Sequence, residues 1–208
     1  MQLPTRHADC FTGRVADKRA RPPGKVRMAE WSRVARRIRV PLGFAFAVLY
    51  FWLARPNLRW LAFGLVLIVP GLLIRALASG HVRKNEALAM SGPYAYTRNP
   101  LYLGSLLMGI GFAVAARSWC VGVALAVMFF AIYLPVIRGE EKFLREKFPE
   151  FDEYARRVPR MLPRIIPAAA ERGGGFSMDL YLKHREYNAA LGVIAIIAVL
   201  AVKIMLRQ

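Results

Sequence analysis

Two short stretches of this chain place polar and titratable residues beside apolar blocks. The first covers residues 91–104, with the sequence SGPYAYTRNPLYLG, and it brings Arg98 and Asn99 directly before an apolar block. The second is the carboxylate pair Glu140 and Glu141, which follows another apolar block. The first stretch offers groups that bind anions, and the second needs a compensating group beside it, so both are candidate binding sites.

The spacing within the first stretch predicts where a helix begins. Gly92-Pro93 is a turn signal. The residue before a proline is extended, and proline is tolerated at the first helical position, so a helix is predicted to start near Pro100. The unsatisfied amides at such a helix start favour carboxylates and other anions, which puts Arg98 and Asn99 beside an anion site. A basic residue that merely anchors a membrane span is the alternative.

The carboxylate pair has two interpretations of its own. Glu140 and Glu141 repel each other at the mouth of an apolar block, and a bound cation, an arginine or a polyhydroxy ligand would compensate them. Alternatively they form a solvated helix start, where acidic residues are favoured by the helix dipole.

Five apolar blocks separate these polar stretches. They cover residues 40–54, 58–78, about 101–116, 119–137 and 189–206. A helix needs about 20 apolar residues to cross the hydrocarbon core of a bilayer. The second and fourth blocks reach this length, and the other three need their flanks. At this length only helices satisfy the backbone in lipid, so the sequence predicts an all-α integral membrane protein with about five transmembrane helices.

The net charge of +18 follows the predicted topology. Residues 1–39 hold eleven of the 31 Lys and Arg residues, and most of the others fall in segments on the same side of five alternating spans. This asymmetry is typical of cytoplasmic segments. It predicts a cytoplasmic N-terminus and a multi-pass protein of a bacterial inner membrane, and it accounts for the charge without nucleic acid. A short basic interfacial helix is predicted over residues 31–39.

The segment after the fourth block is predicted to form a cytoplasmic helical subdomain. An amphipathic helix is expected from Glu140 to about Arg157, interrupted at Pro149. Prolines 159, 163 and 167 favour an extended segment after it. The chain then divides into a tail (1–39), two spans (40–78), a core with the motifs (79–167), and a linker with a last span (168–208). The histidines and cysteines lack paired-ligand spacing, so no metal site is expected.

Together the two stretches resemble the isoprenylcysteine carboxyl methyltransferase and phospholipid methyltransferase group of membrane enzymes. The resemblance covers about residues 60–165. It rests on these matching positions: Gly92-Pro93-Tyr94, Arg98-Asn99-Pro100, Tyr102, Gly104, Glu140-Glu141, Leu144, Phe148, Phe151, Tyr154 and Val158-Pro159-Arg160.

The resemblance implies a helical methyltransferase without a soluble Rossmann domain, which binds S-adenosylmethionine at the cytoplasmic ends of its spans. The implied cofactor-binding residues are His81, Tyr94, Arg98, Asn99, Pro100, Tyr102, Glu140 and Glu141, with Arg98 and Glu141 as the catalytic pair. Asn99 stands where well-characterised members have histidine, so an acid–base role there is in doubt. Tyr181, His184, Arg185, Glu186 and Asn188 either cap the pocket or begin an interfacial helix.

The sequence leaves open the methyl acceptor, the class of activity and the oligomeric state. The acceptor is expected to be a lipophilic, membrane-associated carboxylate, thiol or amine, but the residues do not choose among these. An NADPH-dependent membrane reductase of the sterol reductase type is an alternative, since its fold resembles this one. A non-catalytic membrane protein is the other alternative. The oligomeric state is not fixed by the sequence.

Overall fold

The computed structural model describes residues 23–83, 86–168 and 175–206, and within these ranges the chain forms helices and loops without a strand. Most of the predicted basic tail and of the glycine linker lies outside the described residues. The helices are α1 (Pro23–Leu53), α2 (Leu58–Ser79), α3 (Pro100–Ala116), α4 (Trp119–Met128), α5 (Leu134–Lys147), α6 (Phe151–Arg157), α7 (Met178–Lys183) and α8 (Tyr187–Met205).

Three helical stretches in the described part of the chain are long and apolar enough to cross a membrane. They are Leu58–Ser79, Trp119–Lys147 and Tyr187–Met205, and two further apolar helices, Pro41–Leu53 and Pro100–Ala116, are shorter. The predicted all-α membrane fold is therefore confirmed. These two short helices correspond to the first and third expected spans, whose apolar blocks are shorter than a bilayer requires.

Helix α1 differs from the expected arrangement at its N-terminal side. A separate short helix was predicted over residues 31–39, whereas α1 runs without a break from residue 23 to residue 53. No glycine or turn signal separates the basic and apolar parts. Pro41 lies inside the helix and removes one backbone hydrogen bond, but it does not end the helix.

Helices α4 and α5 form one continuous rod. A π-helical segment, Phe129–Tyr133, joins them. The wider turn rotates the following residues relative to a regular α-helix, and such segments are frequent at functional sites. The predicted interruption near Pro149 is also confirmed, because α5 ends at Lys147 and α6 starts at Phe151.

Glycines hold α2 and α3 in direct backbone contact. The two helices run antiparallel, with Gly64 facing Gly111 and Gly71 facing Gly104. A Cβ atom built on Gly111 would lie 2.6 Å from the carbonyl oxygen of Gly64, and one built on Gly104 would lie 2.5 Å from that of Gly71. Small residues allow such close approach in membrane helices, where packing replaces the hydrophobic effect. This pair fixes where α3 begins relative to α2.

Helix α8 is joined to the rest of the bundle at both of its ends. Near its start, Glu186 forms a bidentate ion pair with Arg75 of α2, with a shortest distance of 2.8 Å. Near its other end, the Lys203 ammonium donates to the carbonyl oxygen of Phe51 in α1. Leu200 is fully buried between these points. The last helix is therefore attached to the bundle at both ends and along one narrow face, while most of its surface stays exposed.

We expect Gly111→Ala to destabilise the protein by about 1–3 kcal/mol, because the added methyl meets backbone that cannot move without separating two helices. The matched control is Gly122→Ala on α4, where nothing lies within 4 Å of the added Cβ. That change should be neutral, or stabilising by up to about 1 kcal/mol. Melting temperatures in detergent measure both, and equal shifts would contradict the packing described.

Candidate functional site

A cavity of about 300 Å³ opens where α2 ends and α3 begins. We call the end of the bundle at which this cavity opens the motif end. The cavity walls come from the loop before α3, the first turn of α3, α5, and α6. The polar residues in these walls are Arg83, Tyr94, Arg98, Asn99, Tyr102, Glu140, Glu141 and Tyr154. The cavity therefore combines cationic, anionic and phenolic groups with apolar walls.

The loop before α3 is shaped by a short 3₁₀ helix, Gly92–Ala95. Gly92 has φ of +57°, which a side chain would strain, and a Cβ atom there would lie 2.5 Å from Nε2 of His81. The same turn buries Tyr94. Glycine is thus required at this position, and it turns Tyr94 into the cavity wall.

A segment that we call the strap, residues 158–168, lies against this loop. The backbone amide of Arg98 donates to the carbonyl of Pro159 over 2.9 Å, and the amide of Arg164 donates to the carbonyl of Tyr96 over 3.0 Å. The Thr97 hydroxyl donates to the carbonyl of Arg160 over 3.1 Å. The extended conformation predicted from the prolines is what makes these backbone groups available. The strap therefore fixes the loop that carries Arg98 and Asn99.

Glu141 lies at the centre of the charges around the cavity. Its side chain is 6% exposed, and its Oε2 accepts from Nε of Arg160 over 2.8 Å and forms an ion pair with Nη2 of the same arginine at 2.7 Å. Its Oε1 accepts from Nδ2 of Asn99 over 3.1 Å and lies 3.7 Å from Nε of Arg98. Arginine therefore supplies the compensation that a second carboxylate beside Glu140 requires. The carboxylate joins α5, the loop and the strap.

Arg98 keeps hydrogen-bonding capacity that the described residues do not use. Its side chain is 13% exposed, and its buried Nε has no hydrogen-bond acceptor among the described residues, because Glu141 is too distant for a hydrogen bond. A buried charged donor without an acceptor is costly. The guanidinium is thus placed to receive an anion inside the cavity.

Glu140 is held by the first turn of α3. The Tyr102 hydroxyl donates to Oε1 of Glu140 over 2.9 Å. The ring of Tyr102 packs edge-on against Tyr133 of the π-helical segment, with 6.1 Å between ring centroids. The π turn thus places an aromatic side chain behind Tyr102, and Tyr102 orients a carboxylate in the cavity wall.

Two buried tyrosines complete the wall. Burial raises the pKa of Tyr94 and of Tyr154 well above the usual value of a phenol. The nearby Arg98 cation lowers the pKa of Tyr154 but does not offset its burial. The Tyr154 hydroxyl donates to the Tyr94 carbonyl over 2.8 Å. Both phenols are therefore neutral near pH 7, and neither is a general base there.

Seven of the eight residues predicted to bind a cofactor line this cavity. They are Tyr94, Arg98, Asn99, Pro100, Tyr102, Glu140 and Glu141. His81 lies apart from the lining, since its Nδ1 is 2.7 Å from the carbonyl oxygen of Leu77 and its ring packs against Phe176. The structure places it behind Gly92, where it shapes the loop.

Sequence reasoning missed the role of Arg160. The residue was matched only as part of the Val158-Pro159-Arg160 pattern, and its partner Glu141 is 19 positions away. The signal that was present is the expected compensation of Glu140 and Glu141 by an arginine. Of the C-terminal residues with an open role, Glu186 pairs with Arg75, and Nδ1 of His184 lies 3.1 Å from the carbonyl oxygen of Ser79. None of these residues lines the cavity.

A second cavity, of about 540 Å³, lies at the opposite end of the bundle. Its lining is almost entirely apolar and includes Trp60, Ile110, Trp119 and Phe130. Among the described residues of this lining, Arg117 is the one that can titrate. This cavity lacks the combination of charged groups found at the motif end. Among residues 23–83, 86–168 and 175–206, no cluster of three histidine, cysteine or acidic residues is arranged to hold a metal ion.

Sequence comparison with known proteins gives matches over the part of the chain that contains most of the cavity residues. Residues 75–150 match the family model named phospholipid methyltransferase. Over 129 residues the chain is 33% identical to protein-S-isoprenylcysteine O-methyltransferase of Homo sapiens. This alignment covers 55% of the chain and 45% of the human protein. The predicted resemblance is confirmed by these matches.

Two bacterial relatives match a shorter region. The chain is 47% identical over 83 residues to the cobalt-zinc-cadmium resistance protein CzcN of Cupriavidus metallidurans, covering 40% of the chain and 38% of the relative. It is 40% identical over 83 residues to the nickel-cobalt-cadmium resistance protein NccN of Alcaligenes xylosoxydans xylosoxydans, covering 40% and 39%. The chain thus spans less than half the length of these relatives. No solved structure matches it.

We expect Glu141→Gln to destabilise the protein by about 3 kcal/mol, because removing one member of a buried ion pair leaves the other uncompensated. This expected loss of stability is at the low end of the range for a broken buried ion pair, because the side chain of Arg160 is 40% exposed. The matched control is Glu146→Gln on the same helix, where the carboxylate is 67% exposed and pairs only with Lys142 at 3.7 Å. It should cost less than about 1 kcal/mol. Melting curves that show similar losses for both would contradict a central role for Glu141.

Proposed function

We propose that the protein transfers a methyl group from S-adenosylmethionine to a lipophilic acceptor at the membrane surface, because residues 75–150 match the family model named phospholipid methyltransferase. The observation that carries the proposal is the cavity at the motif end. It lies inside and beside the matched segment, and it gathers a buried guanidinium, two carboxylates and six tyrosine or phenylalanine rings where the spans end.

The charged groups of the cavity fit the polar parts of S-adenosylmethionine. Arg98, whose buried Nε has no hydrogen-bond acceptor among the described residues, suits the cofactor carboxylate, since a guanidinium binds carboxylates with charge-assisted hydrogen bonds. Glu140, oriented by Tyr102, suits the ribose hydroxyls or the amino group. Glu141 is used by Arg160 and Asn99, so we assign it the positioning of the site. Of the expected catalytic pair, Arg98 and Glu141, only Arg98 is then assigned a direct contact with the ligand.

The aromatic walls fit the cationic centre of the same molecule. Tyr94, Phe148 and Phe151 line the cavity together with Arg98. Aromatic faces attract a desolvated cation, and a sulfonium carries such a charge. Arg98 repels a cation, so the sulfonium is expected nearer the rings than the guanidinium.

The bound cofactor supplies a methyl group that is already activated by the sulfonium charge. The protein then has to hold an acceptor in line with that methyl group and to exclude water. In such a transfer the acceptor's lone pair would form the new bond to the methyl carbon, and the electrons of the carbon–sulfur bond would remain on sulfur, so the residues of the cavity need only bind and align the two molecules. Tyr94 and Tyr154 are neutral and do not act as bases. An acceptor that already carries its lone pair, such as a carboxylate, thiolate or neutral amine, suits this site.

We place the cavity at the cytoplasmic face of a bacterial inner membrane, because the Lys and Arg residues concentrate on the side of the motif end. The acceptor then enters sideways from the bilayer between the spans. The membrane reductase alternative requires binding of NADPH in the same cavity. A non-catalytic protein requires that neither molecule binds.

We expect detergent-purified protein to bind S-adenosylmethionine and S-adenosylhomocysteine, and Arg98→Ala to weaken both by about 10- to 100-fold, since a hydrogen bond to a charged group contributes about 1.5–3 kcal/mol. Calorimetric titration measures both affinities, with NADPH as the comparison ligand. The matched control is Arg156→Ala, which removes an exposed arginine of α6 outside the cavity lining.

Three results of this titration are informative. Binding that is lost in Arg98→Ala and kept in Arg156→Ala supports the proposal. Binding of NADPH instead of the methyl donor would assign the cavity to reductase chemistry. Binding of neither ligand by protein with a cooperative melting curve would exclude both activities.

We also expect Glu140→Gln to weaken S-adenosylmethionine binding by about tenfold, because a charge-assisted hydrogen bond becomes a neutral one, with roughly half its strength. The substitution preserves the shape of the side chain and an acceptor for the Tyr102 hydroxyl. The same titration measures the effect, and Glu153→Gln on the exposed face of α6 is its control. Equal affinities in both variants would contradict the role given to Glu140.

A further inference from the structure

The strap presents large apolar side chains to its surroundings. Leu162 is 81% exposed, Ile165 is 97% exposed and Ile166 is 72% exposed. Contiguous exposed apolar residues in a protein mark a surface that another apolar phase or partner covers. Pro163 and Pro167 stiffen the strap, so these side chains are held outward on a rigid backbone.

The backbone contacts of the strap place it beside the loop that leads into α3. Its residue Pro159 accepts from the amide of Arg98, which is two residues before α3 enters its apolar stretch. Its last residue, Ala168, donates to the carbonyl of Ala95 over 3.0 Å. The strap therefore runs beside the end of the bundle at which α3 begins, next to the apolar helices that are long enough to cross a membrane.

A second segment shows the same pattern at the same level. Phe176, Met178 and Leu182 are each about half exposed in and before α7. This helix is fixed at the end of α2, since His184, which follows α7, contacts the carbonyl of Ser79. Exposed apolar side chains therefore occur on two segments beside the span ends.

The charges around the strap suit anionic lipid headgroups. Arg164 of the strap and Arg156 and Arg157 of α6 are exposed. The two acidic residues of α6, Asp152 and Glu153, are each paired, with Arg145 and Arg157 respectively. Basic residues beside a membrane surface are attracted to anionic lipids. Basic groups together with protruding aliphatic side chains are typical of segments that lie in the bilayer interface.

We propose that the strap is a membrane-inserted anchor, which buries Leu162, Ile165 and Ile166 in the leaflet on the side of the motif end and places Arg164 among anionic headgroups. The occupant of this surface is the bilayer itself. Because the strap also holds Glu141 through Arg160 and the loop through Thr97, the anchor ties the cavity wall directly to the lipid surface.

The test is a depth measurement on the full chain in lipid nanodiscs that contain phosphatidylcholine and phosphatidylglycerol. Ile165→Cys is made in a background in which Cys10 and Cys120 are replaced by serine, and a nitroxide label is attached. Accessibility to oxygen, which concentrates in lipid, is compared with accessibility to a water-soluble nickel complex. The matched control is Glu153→Cys, where the native side chain is 67% exposed on α6.

We expect the label at position 165 to show higher oxygen accessibility and lower nickel accessibility than the label at position 153. Ile166→Cys is the second site and should behave as position 165 does. Nickel accessibility at both strap positions equal to that at position 153 would overturn the proposal. Protection from both reagents would also overturn it, because the strap would then contact protein, such as a second copy of the chain. The measurement needs no cofactor, so its result is independent of the proposed methyl transfer.

The contribution of charge is tested in nanodiscs of phosphatidylcholine alone and with Arg164→Gln. We expect both changes to shift the label at position 165 toward the water-exposed pattern, since about 1 kcal/mol of attraction per basic residue corresponds to about fivefold in partitioning. An unchanged depth in both cases would refute the headgroup contact.

Discussion

The buried carboxylate of Glu141 is the interaction on which the site depends. A charge that is 6% exposed is tolerable only when it is paired and hydrogen-bonded, and here two arginines and an amide surround it. Those partners come from the loop before α3 and from the strap, which are otherwise joined by backbone hydrogen bonds. One carboxylate thereby fixes three segments of chain, and it does so at the expense of its own availability to a ligand.

Much of this arrangement follows from local rules. Pro100 begins α3 because proline suits the first helical position, and the break before Phe151 follows Pro149. Seven cavity residues were identified because the resemblance places them in one pocket. The pairing of Arg160 with Glu141 was not predictable, because it depends on how the strap returns to the loop. The π-helical turn was also missed, since its apolar residues fit an ordinary helix equally well.

The close approach of α2 and α3 positions the loop that lines the cavity. Glycine against glycine leaves no room for side chains between the helices, so the end of α2 and the start of α3 are held at a fixed short distance on either side of that loop. Arg75 reinforces this joint by donating to the hydroxyl of Ser105 in α3. The first turn of α3, with Tyr102, is then held against α5. Helix packing in the membrane therefore determines the geometry of the polar groups outside it.

The pairing of Arg75 with Glu186 has a consequence for biosynthesis. The two residues are 111 positions apart, so α2 is synthesised and inserted well before its acidic partner leaves the ribosome. During that interval the guanidinium of Arg75 has Ser105 as a neutral acceptor and must otherwise be hydrated or bound to a lipid phosphate. Insertion of the last span replaces that temporary partner. The contact between α2 and the start of α8 thus forms only after every residue of the cavity has been translated.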